Sequence, residues 1–599
     1  MIEDGNDRRL ALHATGLLAE FNRADVLAAA DVHVADRLGT MLGETREQVL
    51  LAVALVVRAA RHGSVCVDLT TIADLPLEED AVLLWPESTP WLAAVADSPL
   101  VRERVLHLED ELLYLDRYWR EEGQVCADLL ARLAQPRPAT YGLDLDAAVL
   151  RVFPEDGYEE QRDLIRAATG QTTTVLTGGP GTGKTTAVAG LLAIVAELHE
   201  QETGRLPRVA MCAPTAKASV RLKEAVSAEI AKFGAVDQGR LRDIPSTTLH
   251  RLLGWRVGSN NRFKHDRGNK LPHDVVVVDE TSMVSLTHMA RLLEALRPTT
   301  RLVLVGDSDQ LASVEAGAVL ADVVKGLELH PAAPVFRLRR THRFGKRIGA
   351  LADALRVGDA DTVMGLLQTP STPESDLDEG EGAGLVELVD PADAPAMARF
   401  RYEVRAMSQR VTELAEEGRS AEAIAALDEH RLLCAHREGP SGVNGWNRQV
   451  ERLLTDATGV THYEEWYAGR PVLVTANDYG LDLFNGDLGV TVRLPDGRLR
   501  VAVPGATEVR LFATTRLADV ETVYAMTVHK SQGSQAKVVS VVMPPEDSPL
   551  LTRELFYTAV TRAQERVRIV GTEQAVRAAV DRQVQRASGL ARRLALLRG

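Results

Sequence analysis

The chain has 599 residues and 45% hydrophobic residues, enough for roughly three or four domains with large cores. Its net charge of −15 excludes a uniformly basic coat for nucleic acid but allows a narrow cleft with local positive charge. Four widely spaced cysteines without a CxxC pair argue against structural zinc, an iron–sulfur cluster and a disulfide framework, and they fit a reducing cytoplasm.

The first part of the chain, residues 1–135, is expected to be a mostly helical domain. Apolar residues recur at helical spacing in 46–63 and in VRERVLHLEDELLYLDRYWREE, residues 101–122. The longest apolar run, residues 49–57, is too short to span a bilayer, so it predicts a buried helix and no membrane segment. No signal peptide is expected at the N-terminus, and AQPRPATYG at 134–142 indicates a linker.

Two α/β regions are expected to follow, at 145–360 and 431–599. In the first, the runs TTVLTG, RVAMCAP, DVVVVDE and RLVLVGD resemble strands buried on both faces, and each precedes a helical pattern. This order predicts a parallel sheet with crossover helices. Residues 361–430 are expected to be a linker or insertion because the chain becomes acidic and loop-like there. Alternating apolar residues around a PDG turn predict a small antiparallel insert near 484–520.

The stretch GGPGTGKT fits the pattern of a phosphate-binding P-loop between a predicted strand and a predicted helix. Its glycines let backbone N–H groups surround phosphates beside the positive N-terminus of the helix. Lys184 is expected to reach the β- and γ-phosphates, and the Thr185 hydroxyl is expected to bind Mg²⁺. The predicted ATP-binding residues of this loop are Gly178, Gly179, Pro180, Gly181, Thr182, Gly183, Lys184, Thr185 and Thr186.

Acidic and amide side chains follow the next two predicted strands of this sheet. Asp279 and Glu280 come after a run of valines, and we expect Asp279 to hold Mg²⁺ and Glu280 to polarise the attacking water. Asp307 and Gln310 follow the next strand, at the sheet edge where ligands bind in such folds. Gln310 is expected to sense the γ-phosphate or to orient water. This pattern predicts ATP hydrolysis.

Three polar segments are candidates for contacts with the phosphates and sugars of a single DNA strand. The chain contains only ten lysines, and Lys184, Lys217 and Lys530 all lie in segments expected to face phosphate. The predicted DNA contacts are Pro214, Thr215, Lys217, Thr248, His250, Thr527, His529 and Lys530.

Eight blocks in order resemble the motifs of superfamily 1 DNA helicases: GGPGTGKTT, APTAKA, TTLHRLLG, VVVVDETSM, GDSDQL, THRF, AMTVHKSQGSQ and YTAVTRA. Within that superfamily the chain most resembles the RecD family, the alpha subunits of the RecBCD helicase–nucleases (exodeoxyribonuclease V). The resemblance implies an α/β fold with two RecA-like P-loop motor domains, ATP at their interface and a small β-barrel insert, preceded by a helical domain that docks on a partner.

The same resemblance assigns roles to four further residues. Arg343 in THRF and Arg562 in YTAVTRA match the two arginines that reach the γ-phosphate. Gln161 matches a glutamine that reads adenine. Gln535 lies where the family commonly has glutamate, so it keeps the hydrogen-bonding reach and loses the charge.

The resemblance further implies an ATP-dependent helicase that moves 5′→3′ on single-stranded DNA. It would act at duplex ends with RecB-like and RecC-like subunits, in double-strand break repair and recombination. No nuclease carboxylate cluster is recognisable, so cleavage is expected from a partner.

Two alternatives stay open: a stand-alone RecD-like helicase, and a regulatory subunit that uses ATP only as a conformational switch. Stand-alone relatives are usually longer and carry N-terminal helix-hairpin-helix repeats, for which no Gly-x-Gly pattern is found here. The complete set of hydrolytic candidates argues against the switch.

Overall fold

The computed structural model describes residues 10–75, 83–136, 142–255, 262–341, 345–369, 385–461, 464–478, 480–505, 508–584 and 586–596. Its helices are α1 (Gly16–Arg23), α2 (Ala29–Leu42), α3 (Glu47–Arg61), α4 (Ser88–Ala96), α5 (Pro99–Arg102), α6 (Asp116–Leu133), α7 (Leu145–Val152), α8 (Glu159–Thr169), α9 (Lys184–Thr203), α10 (Ala216–Ile230), α11 (Ala235–Arg240), α12 (Leu249–Leu253), α13 (Leu286–Ala295), α14 (Val319–Leu327), α15 (Lys346–Val357), α16 (Ala360–Gln368), α17 (Ala394–Glu416), α18 (Ser420–Glu429), α19 (Val443–Thr458), α20 (Arg553–Val560), α21 (Glu573–Asp581) and α22 (Leu590–Leu596).

Its strands are β1 (Cys66–Asp68), β2 (Leu106–Glu109), β3 (Leu112–Leu115), β4 (Thr173–Gly178), β5 (Val209–Ala213), β6 (Ser246–Thr248), β7 (Val275–Val278), β8 (Arg301–Gly306), β9 (Val335–Leu338), β10 (Leu385–Val389), β11 (His430–Cys434), β12 (Pro471–Val474), β13 (Leu488–Arg493), β14 (Leu499–Val503), β15 (Arg510–Ala513), β16 (Val520–Thr522), β17 (Ala525–Thr527), β18 (Ala536–Val542) and β19 (Ala563–Val570). Within the described segments, no helix combines the length and the apolar character needed to cross a membrane.

The N-terminal region packs helices α1–α5 on a small antiparallel sheet of order β1-β3-β2. The prediction of a helix over 101–122 is wrong for the middle of this segment. Strands β2 and β3 form a hairpin there, and α6 begins only at Asp116. Asp110 and Glu111 have positive φ angles of 46° and 72°, as the two-residue turn of a tight hairpin requires. Strand β3 pairs with β2 and with β1, so sheet hydrogen bonds override the local helical pattern.

The first motor sheet has six parallel strands in the order β6-β5-β7-β8-β4-β9. Strands β4, β5 and β7 are buried along their whole length, which explains their continuous valine and leucine content. The predicted parallel α/β arrangement is confirmed. Helix α6 packs on α13 and shares its core, so the expected domain boundary at residue 135 separates elements that pack together.

The second motor sheet is also parallel, in the order β10-β19-β18-β11-β17. The linker or insertion expected over 361–430 is wrong for the part that the structure describes, because β10 lies in this sheet and 394–429 form helices α17 and α18. Helices α15 and α16 pack in the same core, where Leu351 and Val363 are fully buried. This motor domain therefore begins at α15, before the expected boundary at 360. Residues 370–384, which hold most of the acidic stretch, lie outside the described residues.

The insert is a five-stranded antiparallel sheet of order β15-β14-β13-β12-β16. It begins at Pro471, earlier than the predicted 484, because PVLV at 471–474 pairs with β13 and β16 instead of with the parallel sheet. The edge strands β15 and β16 are not paired with each other among the described residues, so a closed barrel is not shown.

Candidate ATP cleft and nucleic-acid interface

A cleft of about 1240 Å³ opens between the two motor sheets. Its first-domain lining includes the predicted residues Gln161, Pro180, Gly181, Gly183, Lys184, Thr185, Thr186, Asp279, Glu280 and Gln310, and its second-domain lining includes Gln535 and Arg562. Gly178, Gly179 and Thr182 belong to the same P-loop. Arg343 lies outside the described residues. The structure therefore brings candidates as far apart in the chain as Gln161 and Arg562 to one cleft.

The P-loop connects the end of β4 to Lys184, the first residue of α9. Lys184 Nζ donates hydrogen bonds to the carbonyl oxygens of Gly178 at 2.7 Å and Gly179 at 2.8 Å. Gly183 has a φ of 83°, and a Cβ there would lie 2.8 Å from Gln161 Nε2. Glycine at 183 is therefore needed both for the turn and for the close approach of Gln161.

Gln161 lies beneath the loop, with 1% of its surface exposed. Its Nε2 donates to the Thr182 carbonyl at 3.2 Å. Its Oε1 is buried and has no hydrogen-bond partner among the described residues. A buried acceptor of this kind costs free energy until a donor reaches it, which fits a residue that recognises a ligand.

The acidic pair lies at the end of β7. Burial and the adjacent Glu280 carboxylate raise the pKa of Asp279 well above its usual range. Glu280 has a φ of 49°, a strained conformation that turns the chain away from the strand. Two carboxylates and the Thr185 hydroxyl on one cleft lining are oxygen ligands of the kind Mg²⁺ prefers, and a dication would offset the repulsion between the carboxylates.

A chain of hydrogen bonds crosses the cleft from one motor domain to the other. Arg562 Nη2 donates to Gln310 Oε1 at 3.0 Å, and Gln310 Nε2 donates to Asp307 Oδ2 at 2.9 Å. The Tyr557 hydroxyl donates to the same Asp307 oxygen at 3.1 Å. Burial lowers the pKa of Arg562, while the Glu280 and Asp307 carboxylates favour its charge. Arg562 thus brings a buried cation of the second domain to the candidate ATP cleft.

Tyr557 is a contact that the sequence reasoning missed. Besides binding Asp307, its hydroxyl lies 3.1 Å from the position of a Cβ built on Gly179, so it packs against the P-loop. The residue belongs to the block YTAVTRA, five positions before Arg562, and that block was the available signal. Its partner Asp307 is 250 residues away in the chain, and no local sequence pattern reveals that the two side chains are in contact.

Gln535 lies at the second-domain side of the cleft. Its Oε1 accepts a hydrogen bond from Gln564 Nε2 at 3.3 Å, and both side chains line the cleft. A glutamate at 535 would accept the same bond, so the amide keeps this local contact without adding negative charge.

The DNA candidates of the first motor domain follow strands β5 and β6. Thr215 and Thr248 cap helices α10 and α12, accepting hydrogen bonds from backbone N–H groups at 3.2 and 3.3 Å. Pro214 directly precedes Thr215. Lys217 Nζ donates to the Gly486 carbonyl of the insert at 3.4 Å, and burial beside neighbouring arginines lowers its pKa to about 8. The His250 ring packs on His288, with 4.4 Å between ring centroids.

The candidates of the second motor domain lie at and just after the end of strand β17. Thr527 Oγ1 accepts from the Lys530 backbone N–H at 3.3 Å, and Lys530 Nζ pairs with Glu521 at 3.0 Å. Burial lowers the pKa of His529. Arg221 of α10 donates to the Gly533 carbonyl, so the candidate segments of the two domains meet at one junction.

Three family models match the chain. They are the N-terminal domain of RecBCD enzyme subunit RecD over residues 23–114, an AAA domain over 157–372 and a UvrD-like helicase C-terminal domain over 522–570. RecBCD enzyme subunit RecD of Mycobacterium tuberculosis is 56% identical over 590 residues, which cover 98% of each chain. The chain belongs to the RecD family.

Two other similar proteins extend this comparison. The ATP-dependent RecD2 DNA helicase of Deinococcus radiodurans is 31% identical over 489 residues, which cover 81% of this chain but 59% of the helicase. A crystal structure of Bacteroides Pif1 bound to ssDNA aligns with 68% of this chain and 91% of its own, at 16% identity and a TM-score of 0.35. With its AAA and UvrD-like domains around one cleft, the RecD-family chain is an ATP-dependent DNA helicase.

Proposed function

We propose that the chain is the 5′→3′ motor of a RecBCD-type complex that unwinds DNA from duplex ends in double-strand break repair and recombination. The observation that carries this proposal is the hydrogen bond from Arg562 to Gln310, because it completes the ATP cleft with a residue of the second motor domain. A site shared in this way makes domain closure depend on the nucleotide.

ATP binding is proposed to close the cleft. Lys184 would leave the P-loop carbonyls for the β- and γ-phosphates, and Gln161 Oε1 would accept from the adenine amine. Glu280 would orient the attacking water, and Arg343 and Arg562 would stabilise charge on the γ-phosphate. Thr185 and Asp279 would hold Mg²⁺, which when bound neutralises charge on the phosphates. Hydrolysis would then let the domains part.

DNA is proposed to run across the junction between the two motor domains. The hydroxyls and cations after β5 and β6 and those after β17 would hold the backbone in turn, so that each ATP cycle moves the strand. Lys217 and Lys530 already have protein partners, so DNA would compete with Gly486 and Glu521 for their ammonium groups.

The proposed partners are RecB-like and RecC-like subunits in a cytoplasmic heterotrimer, with the N-terminal region as the docking domain and nuclease activity in a partner. The support is the full-length similarity to RecBCD subunits. The chain is 56% identical to such a relative but 31% identical to the RecD2 helicase, which favours the complex over a stand-alone helicase.

The test compares Lys184→Gln with the control Lys537→Gln in the reconstituted heterotrimer. Lys537 has 51% of its side chain exposed. Unwinding is followed on duplexes with a 5′ or a 3′ single-stranded tail, together with ATP hydrolysis. Lys184→Gln should abolish unwinding of the 5′-tailed duplex only, and Lys537→Gln should behave as wild type. Unchanged unwinding of the 5′-tailed duplex by Lys184→Gln contradicts a motor and favours the conformational switch.

A further inference from the structure

The last described residues, 586–596, form a C-terminal strap that leads from the second motor domain to the N-terminal region. Val584 is still held by the second domain, where its N–H donates to Glu554 at 2.9 Å. Ala587 already contacts the N-terminal region, where its carbonyl accepts from Val65 N–H at 3.0 Å. The chain therefore leaves the second motor domain at Val584 and reaches the N-terminal region at Ala587.

The far end of the strap is firmly anchored. The fully buried Glu122 carboxylate accepts from Ser588 Oγ and Gly589 N–H, both at 3.1 Å, and pairs with Arg593 at 3.2 Å. Leu594 is fully buried where α22 packs between α14 and α6. The strap is therefore held to the first motor domain and the N-terminal region by buried polar and apolar contacts.

Arg586 lies where three parts of the molecule meet. Its Nη1 donates to the carbonyls of Ser313 and Glu315, which follow β8 in the first motor domain. A Cβ on Gly63 of the N-terminal region would lie 3.0 Å from its guanidinium carbon. Its charge also lowers the pKa of His529, a DNA candidate of the second domain.

The segment that Arg586 contacts, residues 311–317, is here called the coupling loop. It directly follows Gln310, the residue that receives Arg562 in the ATP cleft. From the second domain, Thr558 Oγ1 accepts from Leu311 N–H at 2.9 Å. Gly317 N–H donates to the Gly63 carbonyl at 2.9 Å.

The coupling loop also reaches a DNA candidate. Its Glu315 carboxylate pairs with His288 Nδ1 at 3.4 Å, and the His288 ring packs on His250. The loop therefore connects the ATP cleft at one end with a predicted DNA contact in its middle and the N-terminal region at its other end.

We propose that Arg586 is a positioning residue that holds the coupling loop in place. Through this loop, DNA bound at His250 changes the position of Gln310 in the ATP cleft, and the contact with the N-terminal region makes this effect depend on that region. The proposal rests on the helicase function above. Among the residues that the structure describes, Arg586 makes no hydrogen bond to the cleft lining or to the predicted DNA contacts, so its hydrogen-bonded route to both is the coupling loop. A planar guanidinium suits this role because one group reaches two carbonyls at fixed angles.

The test uses the full chain with Arg586→Gln, Arg586→Lys and the control Arg592→Gln, whose arginine lies on the same strap and pairs with Asp110 at 3.2 Å. ATP turnover is measured with and without single-stranded DNA, and amide hydrogen exchange is measured over 311–317. Arg586→Gln should lower the stimulation by DNA at least about fivefold, the smaller end of ordinary coupling between two sites. Basal turnover and the KM for ATP should stay within about twofold, and exchange over 311–317 should rise.

The ratio of stimulated to basal turnover does not depend on the folded fraction, so partial unfolding of a variant would not change it. Arg586→Lys keeps the charge and should restore only part of the ratio. If the glutamine variant fails to fold, a ratio of Arg586→Lys equal to that of Arg592→Gln overturns the proposal. An Arg586→Gln ratio equal to that of Arg592→Gln overturns the proposal, even if exchange rises. A wild-type chain that does not respond to DNA contradicts the proposed function itself.

Discussion

Tyr557, in helix α20, and Arg562, just after that helix, contact two neighbouring first-domain side chains. Arg562 binds Gln310, while Tyr557 binds the Asp307 carboxylate that also holds Gln310. Arg562 therefore holds Gln310 Oε1, and Tyr557 supports the Asp307 carboxylate that accepts from Gln310 Nε2. In the proposed ATP cycle, a side chain held in this way would already be oriented when the γ-phosphate arrives, which would lower the cost of reaching the reactive geometry.

Tyr557→Phe should slow DNA-stimulated ATP turnover about tenfold, because a hydrogen bond to a carboxylate contributes about 1.5–3 kcal/mol. The KM for ATP should change little, since the lost contact orients Gln310 and does not hold ATP. Steady-state ATP hydrolysis at saturating single-stranded DNA measures both quantities. Tyr402→Phe, at a tyrosine with 61% of its surface exposed, is the matched control. Equal turnover of the two variants would show that Asp307 does not need the hydroxyl.

At the scale of elements, helix α22 shows how a short helix gains stability from its surroundings. Seven residues form no stable helix alone, but Leu590 and Leu594 are buried against α14 and α6. Gly326 of α14 allows this approach, because a Cβ there would lie 2.7 Å from Leu594 Cβ. The packing therefore depends on the glycine at position 326 of α14 as well as on the leucines of α22.

Leu594→Ala should destabilise this packing by about 2–5 kcal/mol, since the removed side chain leaves a cavity in a core. Leu596→Ala removes the same atoms from a side chain that is 71% exposed, so its effect should stay within about 0.5 kcal/mol. Urea unfolding of the two variants, monitored by hydrogen exchange in α14, checks this difference in stability. Equal midpoints would show that α22 contributes no stability to the N-terminal and first motor domains.

Asp322 of α14 makes the same contact sensitive to pH. Burial and the nearby Glu122 charge raise the pKa of Asp322 from an ordinary 3.8 to about 7. The folded state then binds the proton more tightly than the unfolded state, so the free energy of unfolding falls as pH rises from about 4 to 7. Asp322→Asn removes this penalty. Its melting temperature should exceed that of wild type at pH 8, and the difference should shrink toward pH 4.

The control for this prediction is Asp547→Asn, which changes an exposed aspartate. Its melting temperature should follow wild type at every pH. A gain for Asp322→Asn that is equal at pH 4 and pH 8 would contradict a proton held by Asp322 and indicate a packing effect instead.

At the scale of the whole molecule, a net charge of −15 must coexist with binding to a polyanion. The long-range field opposes DNA, so affinity has to come from a few cations close to phosphates. The junction between α10 and the second domain gathers such cations, because Arg221 and Lys217 both reach across to second-domain carbonyls there. Binding should therefore depend steeply on salt despite the acidic chain.

Lys217→Gln should reduce the slope of log affinity against log salt by about 0.7–1 if Lys217 contacts one phosphate. The titration is done at pH 7, below the lowered pKa of about 8, where the ammonium is charged. Lys223→Gln is the control, at an exposed lysine of the same helix. An unchanged slope for Lys217→Gln would remove this residue from the DNA contacts.

The sequence alone predicted the residues of an ATP site and the order in which strands and helices follow one another along the chain. Local patterns suffice there, because a P-loop needs neighbouring glycines and lysine, and an acidic pair needs only the end of a buried valine strand. The buried strands β4 and β7 were predictable for the same reason. Arg562 was predictable only through resemblance, because nothing within its own segment points to a γ-phosphate.

The tertiary structure decided everything that depends on contacts between distant segments. It joined β10 to the second sheet, turned part of 101–122 into a hairpin and placed Tyr557 on Asp307. It also returned the C-terminal strap to the N-terminal region, where Arg586 meets the coupling loop. Side chains far apart in the chain gain free energy by sharing one core or one cleft, and a sequence pattern, which records neighbours along the chain, carries no measure of that gain.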